Sequence, residues 1–346
     1  MNKKIIKICF LFFTTCFLFL VFGWWGIYMP KECEVAQEKT FVVEKGEGGR
    51  EIALKLEKQG FIWWGPLFRI YTLTQGVSGS LKAGTYQISP SMSTPEIVDK
   101  LVAGDVVKDK ITIIEGWNLR DIGWYFENRG TFQAEELFEL VGFPLVSYVE
   151  LPPLKDFALG YDFLADKPKD LNLEGYLFPD TYEITEGESF EEIVVKMLDN
   201  FDKKMTLDLK SEIKAQGKTI FEVMTMASLI EKEVRTQEDK KVVSGILWKR
   251  LRVNMPLQVD ATISYITGRK TTKISIQDTK IDSFYNTYKY RGLPLGPICN
   301  PGIASIKAAL YPEDSEYWYY LSTPKGETVF SRNLEEHNIA KAKYIK

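Results

Sequence analysis

One carboxyl group in an otherwise apolar segment is the first feature of this sequence that could do chemistry. The segment TIFEVMTMASLIEKEV, residues 219–234, carries only one charge before Glu231. Thr219 and Glu222 have the T-x-x-E spacing of a capping box, so the pattern predicts a helix that begins near Ile220. At about 100° per residue, Glu231 falls on the same side of that helix as a stripe of apolar residues, namely Ile220, Val223, Met224, Ala227, Ile230 and Val234. Glu231 is therefore predicted to be buried.

Burial of a carboxyl group favours its neutral form, and this is how proteins make a general acid that still holds its proton at neutral pH. Glu231 is accordingly a candidate proton donor. Glu222 and Glu233 fall on the opposite face, where we expect ordinary solvated charges that cannot pair with Glu231 across one cleft. The helix alone also fits a simpler interpretation, in which Glu231 ends the helix and pairs with an arginine such as Arg252.

Three further segments carry the side chains that a sugar-binding cleft needs. They are NLEGYLFPDTYEI, NMPLQVDATISYITG and SFYNTYKYRGLPLGPICNPG, which are dense in Asn, Gln, Asp, Thr and Tyr. Amides and carboxylates hydrogen-bond to hydroxyl and N-acetyl groups, and aromatic faces stack on pyranose rings. Structural interpretations are also open, because Asp260 can be the N-cap of a helix over residues 261–266 and Asn300 can cap a helix opened by Pro301.

The composition argues against several other kinds of site. The formal net charge is −3 and no basic stripe is present, so nothing favours nucleic acid. The cysteines are Cys9, Cys16, Cys33 and Cys299 without a CxxC pair, and His337 stands alone, so we expect free thiols, no metal and no cofactor. Because no GxSxG motif accompanies His337, a serine or cysteine triad is not expected.

The N-terminal segment predicts a retained single-pass membrane anchor. Residues 8–28 carry no charge and are about long enough to cross a bilayer, which takes roughly 20 helical residues. Lys3, Lys4 and Lys7 precede this run, so the positive-inside rule places the N-terminus in the cytoplasm and everything after about Pro30 outside it. A cleaved signal peptide is the alternative, but the run is long for one and no small-x-small cleavage site follows.

A small unit is repeated after the anchor. FVVEKGEGGREIALKLEKQGF corresponds to ITIIEGWNLRDIGWYFENRGTF at a constant offset of 70 residues, so that Gly46 corresponds to Gly116 and Gly60 to Gly130. Between the copies, GTYQIS predicts a strand, and Thr94 predicts the start of another helix. This α+β unit resembles the LysM fold, which in many cell-wall proteins binds glycans that contain N-acetylglucosamine.

Six motifs of the remaining chain occur in an order that resembles the YceG-like family of endolytic murein transglycosylases. They are LEGYLFPDTY, ASLIEKEV, LQVDATISY, YNTY, GLPLGPICNPG and NLEEHN. The resemblance runs from about Leu173 to the end of the chain, and the family's catalytic glutamate falls on Glu231. The sequence departs from the family pattern at Leu295, where a second proline is common, and at Val234, where a hydroxyl residue is common. Neither departure touches the acid, so the two affect only the fine geometry of substrate binding.

Together these features predict an α+β chain in three parts. Residues 1–30 form the cytoplasmic tip and anchor, residues 38–155 a LysM-like duplicated region, and residues 171–346 a YceG-like catalytic domain. A segment rich in proline and turn residues, residues 145–172, separates the last two parts.

The resemblance implies cleavage of the β-1,4 bond between N-acetylmuramic acid and N-acetylglucosamine in nascent peptidoglycan strands, which leaves 1,6-anhydro ends and limits strand length. Glu231 would protonate the leaving oxygen and then accept the proton of the attacking C6 hydroxyl. Peptidoglycan synthases are the expected protein partners. The residues expected to bind substrate or support the site are Gln258, Asp260, Asn286, Thr287, Tyr288 and Glu174.

Two other functions remain open at this point. A non-enzymatic scaffold would bind glycan and dock synthases without cleaving a bond. A muramidase would admit water and would need a second carboxylate, for which Asp260 or Glu174 is the candidate.

Overall fold

The computed structural model of the chain describes residues 3–32, 34, 36–145, 153, 155–269 and 274–344. Cys16 and Cys299 are free thiols. The side chain of Cys9, the whole of Cys33, and residues 146–152 and 154 of the predicted boundary segment lie outside the described part.

Within the described residues the chain is a mixed α+β protein with three two-stranded sheets, β1 with β2, β3 with β4, and β5 with β6. The helices are α1 (Lys3–Tyr28), α2 (Gly49–Lys58), α3 (Gly65–Thr74), α4 (Thr94–Ala103), α5 (Leu119–Asn128), α6 (Ala134–Val141), α7 (Phe190–Lys204), α8 (Leu207–Ala215), α9 (Ile220–Glu233), α10 (Gln237–Arg252), α11 (Asp260–Thr267), α12 (Ile303–Leu310) and α13 (Leu334–Tyr344). The strands are β1 (Lys39–Val43), β2 (Gly84–Ile88), β3 (Lys108–Thr112), β4 (Thr181–Thr185), β5 (Tyr319–Ser322) and β6 (Thr328–Ser331). Short 3-10 turns cover Phe157–Leu159, Asp162–Leu164 and Asp278–Lys280.

The chain divides into two compact units. Unit 1 comprises Met1–Lys110 with Glu183–Glu188, and unit 2 comprises Ile111–Tyr182 with Ser189–Lys346. The three-part division stated from the sequence stays a prediction. The first copy of the repeated segment lies in unit 1, whereas the second copy lies in unit 2.

The repeat recurs in the structure. Helices α2 and α5 have bounds that differ by the same 70 residues, and both are preceded by a glycine in the left-handed region, Gly46 at φ 91° and Gly116 at φ 81°. A left-handed glycine also follows each helix, at Gly60 and Gly130. In unit 1, β1 and β2 pair antiparallel and pack with α2, α3 and α4 around an apolar core that includes Phe41, Leu56, Phe68 and Tyr86.

Helix α1 contains an apolar run, Phe10–Tyr28, of 19 residues with a mean hydropathy of 2.0. By length and composition this run is able to cross a membrane. Its large apolar side chains from Phe10 to Phe22 are exposed.

Helix α9 is the buried centre of unit 2. It begins as predicted, since Thr219 Oγ1 accepts from the Glu222 amide at 3.0 Å and the Glu222 carboxylate accepts from the Thr219 amide at 2.8 Å. Burial extends beyond the predicted stripe, because Thr225 and Ser228 are also fully buried and hydrogen-bond to carbonyls of the preceding turn. The helix is therefore enclosed by protein on nearly all sides until its last turn.

The loop before α12 is held in place on two sides. Ser228 Oγ of α9 accepts from the Ile298 amide at 3.0 Å, and the backbones of Asn300 and residues 116–117 exchange hydrogen bonds of 2.9 and 2.7 Å. The Asn300 side chain accepts from the Leu177 amide and donates to the Trp117 carbonyl. The suggested N-cap role of Asn300 is therefore wrong, and Gly302 occupies the N-cap position instead.

Gly175 makes the close approach of segment 172–178 to this loop feasible, and a matched pair of alanine variants tests this. Gly175 has φ 90°, and a Cβ there would lie 2.6 Å from Pro297, whereas Gly217 has φ 66° with open space around it. We expect Gly217→Ala to lower the free energy of unfolding by about 1–2 kcal/mol, the cost of the left-handed backbone. Gly175→Ala should lose about 1–3 kcal/mol more from overpacking. Equal losses in urea denaturation would contradict this account.

Candidate active site

A cleft of about 1350 Å³ opens in unit 2 at the exposed end of α9. One wall comes from the second copy of the repeat, residues 115–124. The others come from the end of α9, the start of α11 and the β5–β6 hairpin. The cleft therefore collects side chains from segments that are more than 200 residues apart in the chain.

Glu231 lies in the last turn of α9 and lines this cleft. Its side chain is only 8% exposed, in agreement with the predicted burial. The carboxylate accepts hydrogen bonds from Ser305 Oγ at 2.6 Å, from the Gly302 amide at 3.0 Å and from Lys240 Nζ at 3.1 and 3.2 Å. The suggested partner Arg252 is not among these donors, and Lys240, which is 5% exposed, takes its place.

The surroundings of Glu231 differ in kind from those predicted. Apolar neighbours were expected to keep the carboxyl group neutral, but the structure surrounds it with donors. A lysine cation, a hydroxyl and the amide at the N-terminus of helix α12 each stabilise a negative charge. The arrangement thus holds a carboxylate in a fixed orientation.

A second carboxylate, that of Glu115, lies beside the first. Gly302 is bonded through its amide to Glu231, and a Cβ built on this glycine would lie 1.9 Å from Glu115 Oε1. A side chain at position 302 would therefore displace the exposed carboxylate of Glu115. Glu115 was not predicted from the sequence. The signal available for it was the difference between the two copies of the repeat, since the first copy has Lys45 at the corresponding position.

Glu233 also lines the cleft, so the prediction of a solvated charge on the opposite face is wrong. Helix α9 ends at Glu233, and the cleft passes around this end, so residues on opposite faces of the last turn both reach it. Desolvation, with a contribution from the nearby charge of Asp260, raises the pKa of Glu233 to about 7. This carboxyl group exchanges its proton near neutral pH.

Gln258, Asp260 and Tyr288 line the cleft as the sequence analysis expected of binding residues. Gln258 has φ 54°, a strained backbone for a residue other than glycine, of the kind that concentrates at functional sites. The Tyr288 hydroxyl donates to Asp260, and burial raises the pKa of Tyr288 above its usual range. Asp260 does not cap α11, since the N-cap position belongs to Val259.

Asn286 and Thr287 are fully buried behind this wall and do not line the cleft. Asn286 Nδ2 donates to the carbonyls of Thr279 and Ile281, and its Oδ1 accepts from the Tyr288 amide. Thr287 Oγ1 accepts from the Val259 amide at 2.9 Å. Their polar groups fix the backbone that carries Gln258, Asp260 and Tyr288.

Glu174 is likewise buried, at 1% exposure, and joins two elements that form the cleft. Its carboxyl group accepts from the Leu119 amide at the start of α5 at 3.2 Å and from the Tyr265 hydroxyl of α11 at 3.1 Å. Desolvation raises its pKa to about 8, although both hydrogen bonds and the Arg120 charge act in the opposite direction. Glu174 is therefore protonated at neutral pH.

The aromatic surface of the cleft was not predicted from the sequence. Trp117 and Trp124 line it, and Trp124 is 49% exposed. Arg120, between them in the chain, donates to the Tyr265 carbonyl at 2.8 Å and lies over the Tyr265 ring. These residues belong to the second copy of the repeat, and the first copy has neither tryptophan at the corresponding positions, Glu47 and Leu54. That difference between the copies was the signal in the sequence that could have predicted the aromatic surface.

His337 lines another part of the cleft, where its buried ring stacks on Tyr319 with 5.2 Å between centroids. Its Nδ1 has no hydrogen-bond partner among the described residues.

Comparison with known proteins identifies the family. A model of the YceG-like family matches residues 41–343. The chain belongs to the YceG-like family. An endolytic murein transglycosylase of Bacillus subtilis is 32% identical over 91% of this chain and 87% of its own length. A protein of the same name from Streptococcus pneumoniae is 31% identical over 92% of this chain, which spans 60% of the length of that relative.

A solved structure is also similar. The crystal structure of a YceG-like protein from Listeria monocytogenes has 32% identity and a TM-score of 0.59, and the match covers 88% of this chain and all of that one. The family predicted from the six motifs is thus confirmed, and the names of the relatives agree with the predicted enzyme class, a lytic transglycosylase. The LysM-like character of the repeat stays a prediction.

The buried carboxyl group of Glu174 predicts how stability depends on pH. Because its pKa is about 8 when folded and 4.5 ordinarily, the folded chain holds a proton that the unfolded chain releases between these values. The free energy of unfolding should fall as pH rises through this window, with a contribution of at most about 1.4 kcal/mol per pH unit from this group. Glu174→Gln, which mimics the protonated form, should flatten the fall.

Urea denaturation between pH 5 and pH 8 measures this dependence. Glu335→Gln is the control, because Glu335 is exposed on α13. Glu233 also contributes, so the slope should decrease in Glu174→Gln without vanishing. An unchanged slope would show that Glu174 is ionised in the folded chain.

Proposed function

We propose that this chain is a membrane-anchored endolytic murein transglycosylase in which Glu231 is the acid and base. The observation that carries the proposal is the fixed carboxylate of Glu231, held by Lys240, Ser305 and the Gly302 amide on the edge of a cleft with exposed tryptophan. The family and the names of the relatives support the substrate, the glycan strands of peptidoglycan.

In the first step, Glu231 in its protonated form gives the proton to the bridging O4 as the bond to C1 of N-acetylmuramic acid breaks. The N-acetyl oxygen of the same sugar stabilises the electron-poor C1. In the second step, the carboxylate of Glu231 accepts the proton of the C6 hydroxyl while O6 bonds to C1, which closes the 1,6-anhydro ring. The proton returns to Glu231, so one residue completes the cycle without water.

The donors around Glu231 support the second step directly, because they orient a carboxylate for proton abstraction. For the first step the carboxyl group must take up a proton. Ser305 can adapt to this change because a hydroxyl both donates and accepts. A long glycan bound over the cleft would exclude water from the carboxyl group of Glu231.

The cleft wall supports roles for the remaining residues. Trp117 and Trp124 stack on sugar rings, and Gln258, Asp260 and Tyr288 hold the N-acetyl and lactyl groups. Asn286, Thr287 and Glu174, which have their polar atoms bonded within the protein, position this wall and do not contact the sugar.

The apolar run of α1 supports anchoring with the N-terminus in the cytoplasm and the cleft outside it. An anchored site lies close to strands as synthases extend them at the membrane, so the chain would limit glycan length, with the synthases as partners. The first copy of the repeat would add a LysM-like contact to the glycan.

One observation favours a second candidate, a muramidase that uses water. The carboxylate of Glu115 lies against the glycine that binds Glu231, and a pair of carboxylates is what a hydrolase needs. Hydrolysis leaves reducing ends, whereas transglycosylation leaves anhydro ends, so the products distinguish the two reactions.

Mass spectrometry of the fragments from purified glycan strands tests the proposal. We expect anhydro-terminated fragments from the full chain in detergent or vesicles, and their loss by at least about 100-fold in Glu231→Gln, because the amide can neither give nor take the proton. Glu238→Gln, an exposed position outside the cleft, should retain activity. Reducing ends would identify a muramidase, and binding without cleavage would identify a scaffold.

Neighbouring lysines of α10 test the electrostatic role of Lys240. Lys240→Met removes a donor that holds the carboxylate of Glu231, so the orientation of that group is relaxed and the maximal rate should fall, about 10-fold or more. Lys241→Met, an exposed neighbour, should leave the rate unchanged. Equal rates for the two variants would show that Lys240 does not orient Glu231.

A further inference from the structure

Helix α3 of unit 1 is apolar on two opposite sides. Phe68 is buried in the core of unit 1, and Leu67 is buried against α1. On the outer side Ile70 is 53% exposed and Leu73 is 61% exposed. An exposed apolar patch next to a buried one indicates that the outer side has a partner of its own.

The patch continues into the residues that precede the helix. Trp63 and Trp64 are 39% and 42% exposed, so four large apolar side chains expose more than a third of their surface within eleven residues. Arg69 is exposed on the same helix. We use the name α3 patch for Trp63, Trp64, Ile70 and Leu73.

Helix α3 packs against the last turns of α1, the helix that is able to cross a membrane. The contact is close because α1 has glycine there: a Cβ on Gly26 would lie 2.6 Å from Leu67. The Trp25 and Trp63 rings are 4.7 Å apart, and Trp63 Nε1 donates to the Pro30 carbonyl at 3.3 Å. The segment GWWG of α1 thus forms the surface on which α3 lies.

This contact fixes the depth of α3. Residues 23–28 of α1, which contact α3, are the last residues of the apolar run Phe10–Tyr28. At 1.5 Å per residue they cover about 8 Å of a span whose length is close to that of the hydrocarbon core. Trp24, Trp25 and Tyr28 also stand where the aromatic belt of a membrane helix is found. Helix α3 must therefore lie at the boundary between headgroups and acyl chains.

We propose that the α3 patch inserts into the outer surface of the same bilayer that α1 spans. The partner is lipid: tryptophan occupies the headgroup boundary, Ile70 and Leu73 enter the upper acyl region, and Arg69 faces lipid phosphates. Unit 1 is then a body that rests on the membrane. The inference rests on the proposed membrane anchoring but not on the proposed cleavage reaction.

Depth-dependent quenching in the full chain tests this inference. The chain is placed in vesicles of phosphatidylcholine and phosphatidylglycerol after serine replaces Cys9, Cys16 and Cys33; Cys299 is fully buried. A polarity-sensitive fluorophore is attached to Ile70→Cys or, as the control, to Lys45→Cys, which is exposed in the turn after β1. Lipids brominated near the headgroup should quench the label at position 70 several-fold more than the label at position 45.

Paired glutamate variants distinguish insertion of the α3 patch into lipid from a position merely close to the membrane surface. With the label on Trp64→Cys, Ile70→Glu with Leu73→Glu should reduce quenching several-fold, because two charges on the outer side oppose insertion. Thr74→Glu with Gln75→Glu adds the same charge at exposed positions outside the patch and should leave quenching unchanged.

Two results would overturn the inference in different ways. If the vesicles carry the chain on flotation but positions 70 and 45 are quenched equally, the patch does not contact lipid and is left free for a protein partner. If the chain does not float with the vesicles, the proposed membrane anchoring by α1 is wrong, and the inference about α3 is wrong with it. Glycan cleavage measured on the same vesicles reports on the proposed reaction independently of both.

Discussion

The carboxylate of Glu231 and its three donors are the interaction on which the arrangement of unit 2 depends. The donors come from two further helices, Lys240 from α10 and Gly302 with Ser305 from the start of α12. A buried carboxylate without partners is strongly destabilising, so the packing of α9, α10 and α12 is tied to the placement of this one group. The stability of unit 2 and the proposed acid–base chemistry therefore constrain the same contacts.

The repeat shows how one small unit can take on two uses. In unit 1 the first copy builds a compact core beside the apolar helix, and its turn carries Lys45 and Gly46. In unit 2 the second copy carries Glu115 and Gly116 at those places, and its turn lies against the loop that begins α12. The left-handed glycine preserves the turn in both copies, while the changed neighbours bring a carboxylate and two tryptophans to the cleft.

Local patterns predicted the parts of this structure that depend on neighbours in the chain. The capping box at Thr219, the course of α9 and the burial of Glu231 follow from helical geometry, and the six ordered motifs identified the family. The partners of Glu231 could not be predicted in this way, since Ser305 and Gly302 are about 70 residues distant. The assignment of helix faces at 100° per residue also failed at Glu233. Such faces are defined along a continuous helix, whereas the cleft passes around the end of α9. Asn286 and Thr287 were predicted to bind substrate because of their residue types. Their side chains instead hydrogen-bond to backbone groups and hold the segments that carry Gln258, Asp260 and Tyr288.

The two carboxyl groups that support the site have opposite electrostatic surroundings, and this difference assigns their roles. Glu174 has an amide and a hydroxyl but no cation in direct contact, so desolvation dominates and raises its pKa to about 8. Glu231 is less enclosed, since it lines the cleft with 8% of its side chain exposed, and it has Lys240 at 3.1 Å together with the amide at a helix N-terminus. Desolvation keeps Glu174 neutral as a permanent link between α5 and α11, whereas the donors around Glu231 hold a carboxylate in one orientation. Of the two, only Glu231 lines the cleft, so it alone is placed to carry the proposed acid–base chemistry.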